Sequence, residues 1–257
     1  MFYKMAKLIG PAVLVGFVLM FIAAGCPVTQ SQRTPVSHTS NREPTTGCKY
    51  YLYVPDNYSP EKTWPLVITL HGTNPWDSAW LQIREWKALA QREGFIVAAP
   101  ILTQLGTQGI TPVIRSFRRK SLAQDDRKIL AMLEELCGKY NINRRQVLLT
   151  GFSAGGYPMY YTGLRHPEKF NMLIARACNA ELWIFTSLDM PKGYKHVPIG
   201  IFWGKDDLKK IHSESWLAFR WLRRNGWDKH NCFRKMTKGG HLRRPETTYN
   251  MWGRFRK

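Results

Sequence analysis

Apolar and polar positions divide the chain into three parts. Leu8 to Ala24 contains no charged residue, follows a short basic head of Lys4 and Lys7, and ends in the small residues Ala23-Ala24-Gly25 before Cys26. The run is slightly long for a signal core and slightly short for a spanning helix, and Gly10, Pro11 and Gly16 interrupt it; it predicts an export signal over residues 1–25, with an uncleaved N-terminal anchor as the alternative. Residues 26–46 then carry three prolines, many Ser and Thr, and only two valines as apolar residues. Such a segment cannot bury enough apolar surface to offset its ordering entropy, so a flexible tether is expected there. Residues 47–257 remain as one domain, with no internal repeat.

Within that domain two periodicities alternate. Tyr50–Val54, Leu66–Leu70, Phe95–Ala99, Gln146–Thr150, Met172–Ala177, Pro198–Trp203 and Asn231–Thr237 are short β-branched or apolar runs, several closed by Pro or Gly, and they predict strands. Ala79–Glu93 places Ala79, Ile83, Trp86 and Ala90 on one helical face and stops at Gly94. Ser121–Tyr140 repeats the pattern through Ile129, Leu133, Leu136 and Tyr140, with Ser121 and Gln124 spaced as a capping box. Ala154–Arg165, His212–Asn225 and Pro245–Arg254 complete the predicted helices. Strands and helices in alternation, with strands apolar on both faces, predict an α/β fold: a mostly parallel central sheet with helices on both faces.

Composition agrees with a globular chain: 44% of residues are hydrophobic and 22% charged. The balance is strongly basic, with 38 Lys plus Arg against 18 Asp plus Glu and a net charge of +20. That excess bears on surroundings rather than on fold. After Cys26 there are four cysteines, Cys48, Cys137, Cys178 and Cys232, in no metal-like cluster. They permit two disulfides in three connectivities, and buried free thiols are equally open.

The sharpest chemical signal is Gly151-Phe152-Ser153-Ala154-Gly155, directly between a strand and a helix. A serine in that setting sits on a strained turn at the carboxyl end of the sheet, where side chains at positions 151 and 155 would collide with the backbone. Serine needs a base within hydrogen-bond reach, and in hydrolases of this type acid and base follow it in that order. His241, in the loop Lys238-Gly239-Gly240, is the candidate base, ahead of His196, His212 and His230. Asp207, after the strand ending at Trp203, is the candidate acid, with Asp206 beside it as the competitor. The backbone N–H groups of Ala154 and of Thr73, in His71-Gly72-Thr73, are the candidate oxyanion hole; His71 is expected to orient that loop through its ring.

Together these blocks resemble the α/β-hydrolase superfamily, and more narrowly the exported polyhydroxybutyrate depolymerase, feruloyl esterase and acetylxylan esterase group. The resemblance rests on Tyr51–Pro55, Pro65–Gly72, Gly94–Val97, Tyr140–Asn143, Gly151–Gly156 with His166-Pro167, and Gly240-His241. It implies a serine carboxylesterase acting on polymer-linked or small acyl esters, with no cofactor and no metal. Ala23-Ala24-Gly25-Cys26 resembles a bacterial lipobox, which implies lipidation at Cys26 and an envelope, membrane-anchored or secreted location. The alternatives are a serine peptidase of prolyl-oligopeptidase type and a non-catalytic envelope binding protein on the same fold.

The cations Arg115, Arg118, Arg119 and Lys120 cluster in one predicted loop, and Arg243 and Arg244 follow the candidate base. They suit either an anionic, polysaccharide-linked ester or, as the favoured reading, a solvated face held against anionic lipid. Nucleic acid is not an expected partner, since no recognition motif is present.

Overall fold

The structure, a computed structural model, describes residues 38–103, 115–188 and 197–256. In chain order the elements are β1 (Thr39–Arg42), β2 (Lys49–Tyr53), β3 (Trp64–Leu70), α1 (Ala79–Glu93), β4 (Ile96–Pro100), α2 (Arg115–Lys139) and β5 (Ile142–Phe152). Then follow α3 (Gly156–Arg165), β6 (Met172–Arg176), α4 (Leu182–Thr186), β7 (Ile199–Gly204), α5 (Lys209–Arg224), β8 (Cys232–Thr237) and α6 (Pro245–Trp252). The strands form one sheet in the order β1-β2-β4-β3-β5-β6-β7-β8. From β4 to β8 every pairing is parallel, while β1 and β2 join antiparallel.

All seven residues of β3 are buried, as are all of β4, β6 and β7, which is why these strands read as unbroken apolar runs rather than alternating ones. One apolar layer joins the sheet to α1 and α6, around Trp86, Phe95 and Trp252; the other joins it to α2, α3 and α5. Helix α1 begins and ends where its sequence says it should. Ser78 accepts the Leu81 N–H at 3.3 Å, and Gly94 closes the helix in the left-handed region at φ 71°. Strand order reverses around β3, with β4 on one side and β5 on the other, so the loops after β3 and β5 bound the crevice where such sheets bind ligands.

Three expectations need correction, and the cysteines take one of the two states left open for them. The expected tether is ordered at its end: Thr39–Arg42 pairs with β2, from Thr39 opposite Leu52 to Arg42 opposite Lys49. Polar strand residues suffice here because an edge strand is held by backbone hydrogen bonds. Glu43, buried, then closes the turn. Its carboxylate accepts the Thr45 N–H at 2.5 Å, the Thr46 N–H at 2.7 Å and the Thr46 hydroxyl at 2.6 Å. Helix α2 starts at Arg115, so Ser121 lies inside it, buried, and caps nothing. Helix α4 was not predicted; five residues are too short to show a period. Cys48, Cys137, Cys178 and Cys232 are all free thiols, and burial pushes Cys178 and Cys232 up to about 12.

The export signal, Cys26 and His196 lie outside the described residues, as do the side chains of Arg115 and Arg118. Among the described residues no helix is long and apolar enough to cross a membrane.

Burial alone would raise the Glu43 pKa, but its hydrogen bonds from Thr46 and Thr45 outweigh that and lower it. The stabilisation is therefore present above the unfolded-state carboxyl pKa and is lost as pH falls through the lower folded value. Glu43→Gln should cost about 1–2 kcal/mol at neutral pH. Urea unfolding at pH 7 and below pH 4 checks this: the gap between wild type and variant should close in acid.

Candidate active site

Ser153 sits at the end of β5 with φ 52°, the left-handed region that a non-glycine residue enters only when its surroundings force it. Two close approaches do the forcing. A Cβ on Gly151 would lie 2.4 Å from the Gly155 carbonyl oxygen, and one on Gly155 would lie 2.5 Å from the Leu70 carbonyl oxygen. The turn is thus packed onto itself and onto the end of β3, with no room for side chains at either glycine. Ala154 and Gly155 follow in a single 3-10 turn that runs into α3, so the helix N-terminus lies beneath the hydroxyl and favours developing negative charge.

The loops after β7 and β8 bring in the candidate acid, Asp207, and the candidate base, His241. Asp207 Oδ1 and His241 Nδ1 are 2.8 Å apart. The Asp207 carboxylate is fully buried and also accepts the Leu208 N–H at 2.8 Å and the Gly204 N–H at 3.3 Å. Burial by itself would raise its pKa, but the bonds from His241 and from the backbone outweigh it, so Asp207 is held below the ordinary aspartate value. Asp206 is exposed; only its backbone N–H takes part, donating to the Gly239 carbonyl at 3.1 Å. Gly200–Gly204 pairs in register with Phe233–Thr237, which fixes how the two loops leave the sheet. The His241 ring packs on Phe152 at a centroid separation of 4.7 Å, next to the serine in sequence.

Nδ1 is committed to Asp207; among the described residues the other ring nitrogen of His241 has no hydrogen-bond partner, and none joins it to Ser153. Both residues line one open cavity of about 590 Å³, together with Thr73, Ala154 and Tyr157. Catalytic serine–histidine contacts are often loose without substrate and tighten in the complex. The competing histidines are committed elsewhere: His212 Nδ1 accepts the Trp203 indole N–H at 3.0 Å, and His230 is exposed.

The loop after β3 is built around His71. Its Nε2 accepts the Leu102 N–H at 3.1 Å, so Nδ1 carries the proton and donates to the Gly72 carbonyl at 2.8 Å. Burial pushes the His71 pKa down, keeping the ring neutral in this tautomer. It is an orienting residue, as expected. Gly72 approaches Ser153 closely: a Cβ there would be 3.0 Å from Ser153 Cβ.

The sequence reading missed the polar groups that hold these loops together. Asp77 Oδ2 accepts the Gly72 N–H at 2.6 Å and the Gln82 amide at 2.7 Å. Arg243 bridges Asp77 and Glu85, at 3.1 and 2.6 Å. Arg176, wholly buried at the end of β6, donates to Thr150, Thr69 and Gln82. Burial draws its pKa down to about 10, still charged at neutral pH. An aspartate six residues past His71, beside a helix start, was the available signal for Asp77. Trp76, Leu208 and Leu242, respectively 72%, 61% and 51% exposed, give the cavity an apolar rim.

The geometry also bears on the basic residues. Arg243 is neutralised by two carboxylates, and the Arg244 guanidinium donates to the Lys238 carbonyl while its backbone precedes α6. Arg119 is exposed, with its guanidinium 5.9 Å from the Trp183 ring centre.

Comparison with known proteins follows from this arrangement. A family described as "Putative esterase" matches residues 42–230, which include Ser153 and Asp207. A bifunctional acetylxylan esterase/xylanase of Neocallimastix patriciarum is 30% identical over 120 residues, 47% of this chain, and the match spans only 16% of that larger protein. Among solved structures, an acetyl xylan esterase from Aspergillus awamori superposes with a TM-score of 0.65 at 17% identity, covering 85% of this chain and 99% of that one. The S-formylglutathione hydrolase of Staphylococcus aureus gives 0.63 at 14% identity, covering 85% and 97%. The chain belongs to this esterase family and has the α/β-hydrolase fold.

Proposed function

We propose that this esterase hydrolyses carboxylic esters through an acyl-enzyme on Ser153. The observation that carries the proposal is the buried Asp207–His241 pair opening onto the cavity that holds the strained serine. In the proposed cycle Ser153 Oγ attacks the ester carbonyl carbon while His241 takes the hydroxyl proton through the nitrogen not bonded to Asp207. The carbonyl π electrons move to oxygen, which the N–H groups of Ala154 and Thr73 hold. The tetrahedral intermediate collapses, the C–O bond to the alcohol breaks, and His241 returns the proton to the leaving oxygen. Water, deprotonated by the same imidazole, then attacks the acyl carbon; the bond from that carbon to Ser153 Oγ breaks, the imidazolium returns the proton to Oγ, and the acid leaves. Asp207 keeps the imidazole in the tautomer this requires and stabilises the imidazolium.

The charged residues lining the cavity besides His241 are two cations, Lys210 and Arg243, and two anions, Asp77 and Glu85, a balanced set that suits a neutral ester better than an anionic one. The exposed Trp76 ring offers a flat apolar face to a sugar or aryl group on the substrate. Together with the acetylxylan-active relatives, these features support short acyl esters on a polysaccharide. The N-terminal pattern supports an exported domain tethered at Cys26, with the remaining cationic surface lying against anionic lipid.

Ser153→Ala should abolish hydrolysis of p-nitrophenyl acetate and labelling by a fluorophosphonate probe; full turnover by that variant would refute the scheme. Asp207→Asn should lower kcat by about 10³–10⁴-fold, whereas Asp206→Asn should stay near wild type. Asp207 should stay ionised to below the ordinary aspartate value, because its hydrogen bonds depress its pKa, so protonation of Asp207 should not limit activity in mild acid; a pH–rate profile of wild type checks this. A panel of acetyl, longer acyl, feruloyl and hydroxybutyrate esters, each run at low and high salt, tests substrate class. Acetylated xylan should be cleaved, with little dependence on salt.

A further inference from the structure

We propose that Arg243 is a positioning residue that locks the oxyanion loop to the loop carrying the base, acting through Asp77. The inference rests on the hydrolase reading above and concerns how its two halves are kept in register.

The Thr73 N–H shares a rigid, planar peptide unit with the Gly72 carbonyl, so whatever fixes that carbonyl also fixes the direction of the N–H. His71 Nδ1 holds the carbonyl at 2.8 Å. On the other side of Gly72, its own N–H is held by Asp77 Oδ2 at 2.6 Å, and Asp77 closes the turn by donating its N–H to the Thr73 carbonyl at 3.0 Å. The peptide units flanking Gly72 are therefore pinned by two side chains, one of them Asp77. Glycine would otherwise be the loosest point of the loop.

Asp77 is in turn held by Arg243, two residues beyond His241. One arm of the guanidinium reaches Asp77 Oδ1 at 3.1 Å, and the other reaches Glu85 Oε1 on α1 at 2.6 Å. The same side chain lies over the Phe152 ring, which packs on His241. The Arg243 carbonyl accepts from Arg176 at 3.4 Å, and Arg176 also donates to Gln82, whose amide donates to Asp77. The circuit from base loop to Asp77 to the oxyanion peptide and back is closed and mostly buried. With Asp77 and Arg243 side chains only 3% and 22% exposed, solvent screens the pair weakly. A planar two-armed cation is what two separate carboxylates require.

The expected signature is a loss in transition-state stabilisation with ground-state binding retained. In the full chain, Arg243→Gln should lower kcat for p-nitrophenyl acetate by about 10–100-fold, a fraction of what a whole oxyanion donor supplies, with KM within about threefold. Asp77→Asn should do the same, and the double variant should be no worse than the poorer single one, because both break one circuit. Arg243→Lys, which keeps one charged contact, should recover part of kcat and guards against a folding defect in the glutamine variant. Hydrogen exchange of the segment 71–77 should speed up in Arg243→Gln and not in Asp206→Asn. That readout needs no turnover, so it judges the clamp even if wild type cleaves no ester, a result that would fail the hydrolase reading instead. Unchanged exchange in Arg243→Gln would overturn the proposal. So would kcat within threefold of wild type, a loss confined to KM, or multiplicative effects in the double variant.

Discussion

The structure depends on one close approach: the backbone of the turn after β5 lies against itself and against the end of β3, with no space for a side chain at Gly151 or Gly155. Steric exclusion of this kind is absolute in a way that hydrogen bonds are not. A lost hydrogen bond costs on the order of 1 kcal/mol, whereas a Cβ at 2.4 Å from a carbonyl oxygen must move the chain. The turn holds Ser153 at φ 52° and puts the helix N-terminus beneath it. Strain in one residue is tolerated because two buried parallel strands and the helix behind them determine the path on either side.

Around that fixed point the other groups arrive by strand register. The parallel pairing of β3 with β5 brings the Gly72 loop beside the serine, and that of β7 with β8 brings Asp207 beside His241. Each arriving loop is then tied by buried polar contacts: His71 to Leu102 and Gly72, Asp207 to two backbone N–H groups, Asp77 to Gly72, Gln82 and Arg243. Buried polar groups of this density hold position only when satisfied together. Among the described residues His241 is bonded on its Asp207 side alone, and its ring lines the cavity.

Legibility in the sequence followed the range of the interactions. The periods of α1 and α2, the buried runs of β3, β4 and β7, and the glycine-flanked serine are local patterns, and each element formed where its pattern lay. Strand β1 was invisible because an edge strand of polar residues has only backbone bonds to recommend it, and Glu43 gives no local sign that it will fold under its own turn. The early start of α2 and the short α4 carried no period. Whether the four cysteines would pair depended on distances between distant segments, and they remain free thiols.

By itself the sequence determined the alternation of strand and helix and the strained, glycine-flanked turn at Ser153, because each is written within a few neighbouring residues. Only the tertiary structure shows which of the adjacent Asp206 and Asp207 meets the imidazole: a turn sends one side chain into solvent and the other onto His241. Only it turned Arg243 from a candidate substrate contact into the partner of Asp77 and Glu85. The physical reason is common to both: charge is placed by what surrounds it in space, and the surroundings come from segments distant in sequence, 34 residues away for Asp207 and His241 and 166 for Asp77 and Arg243.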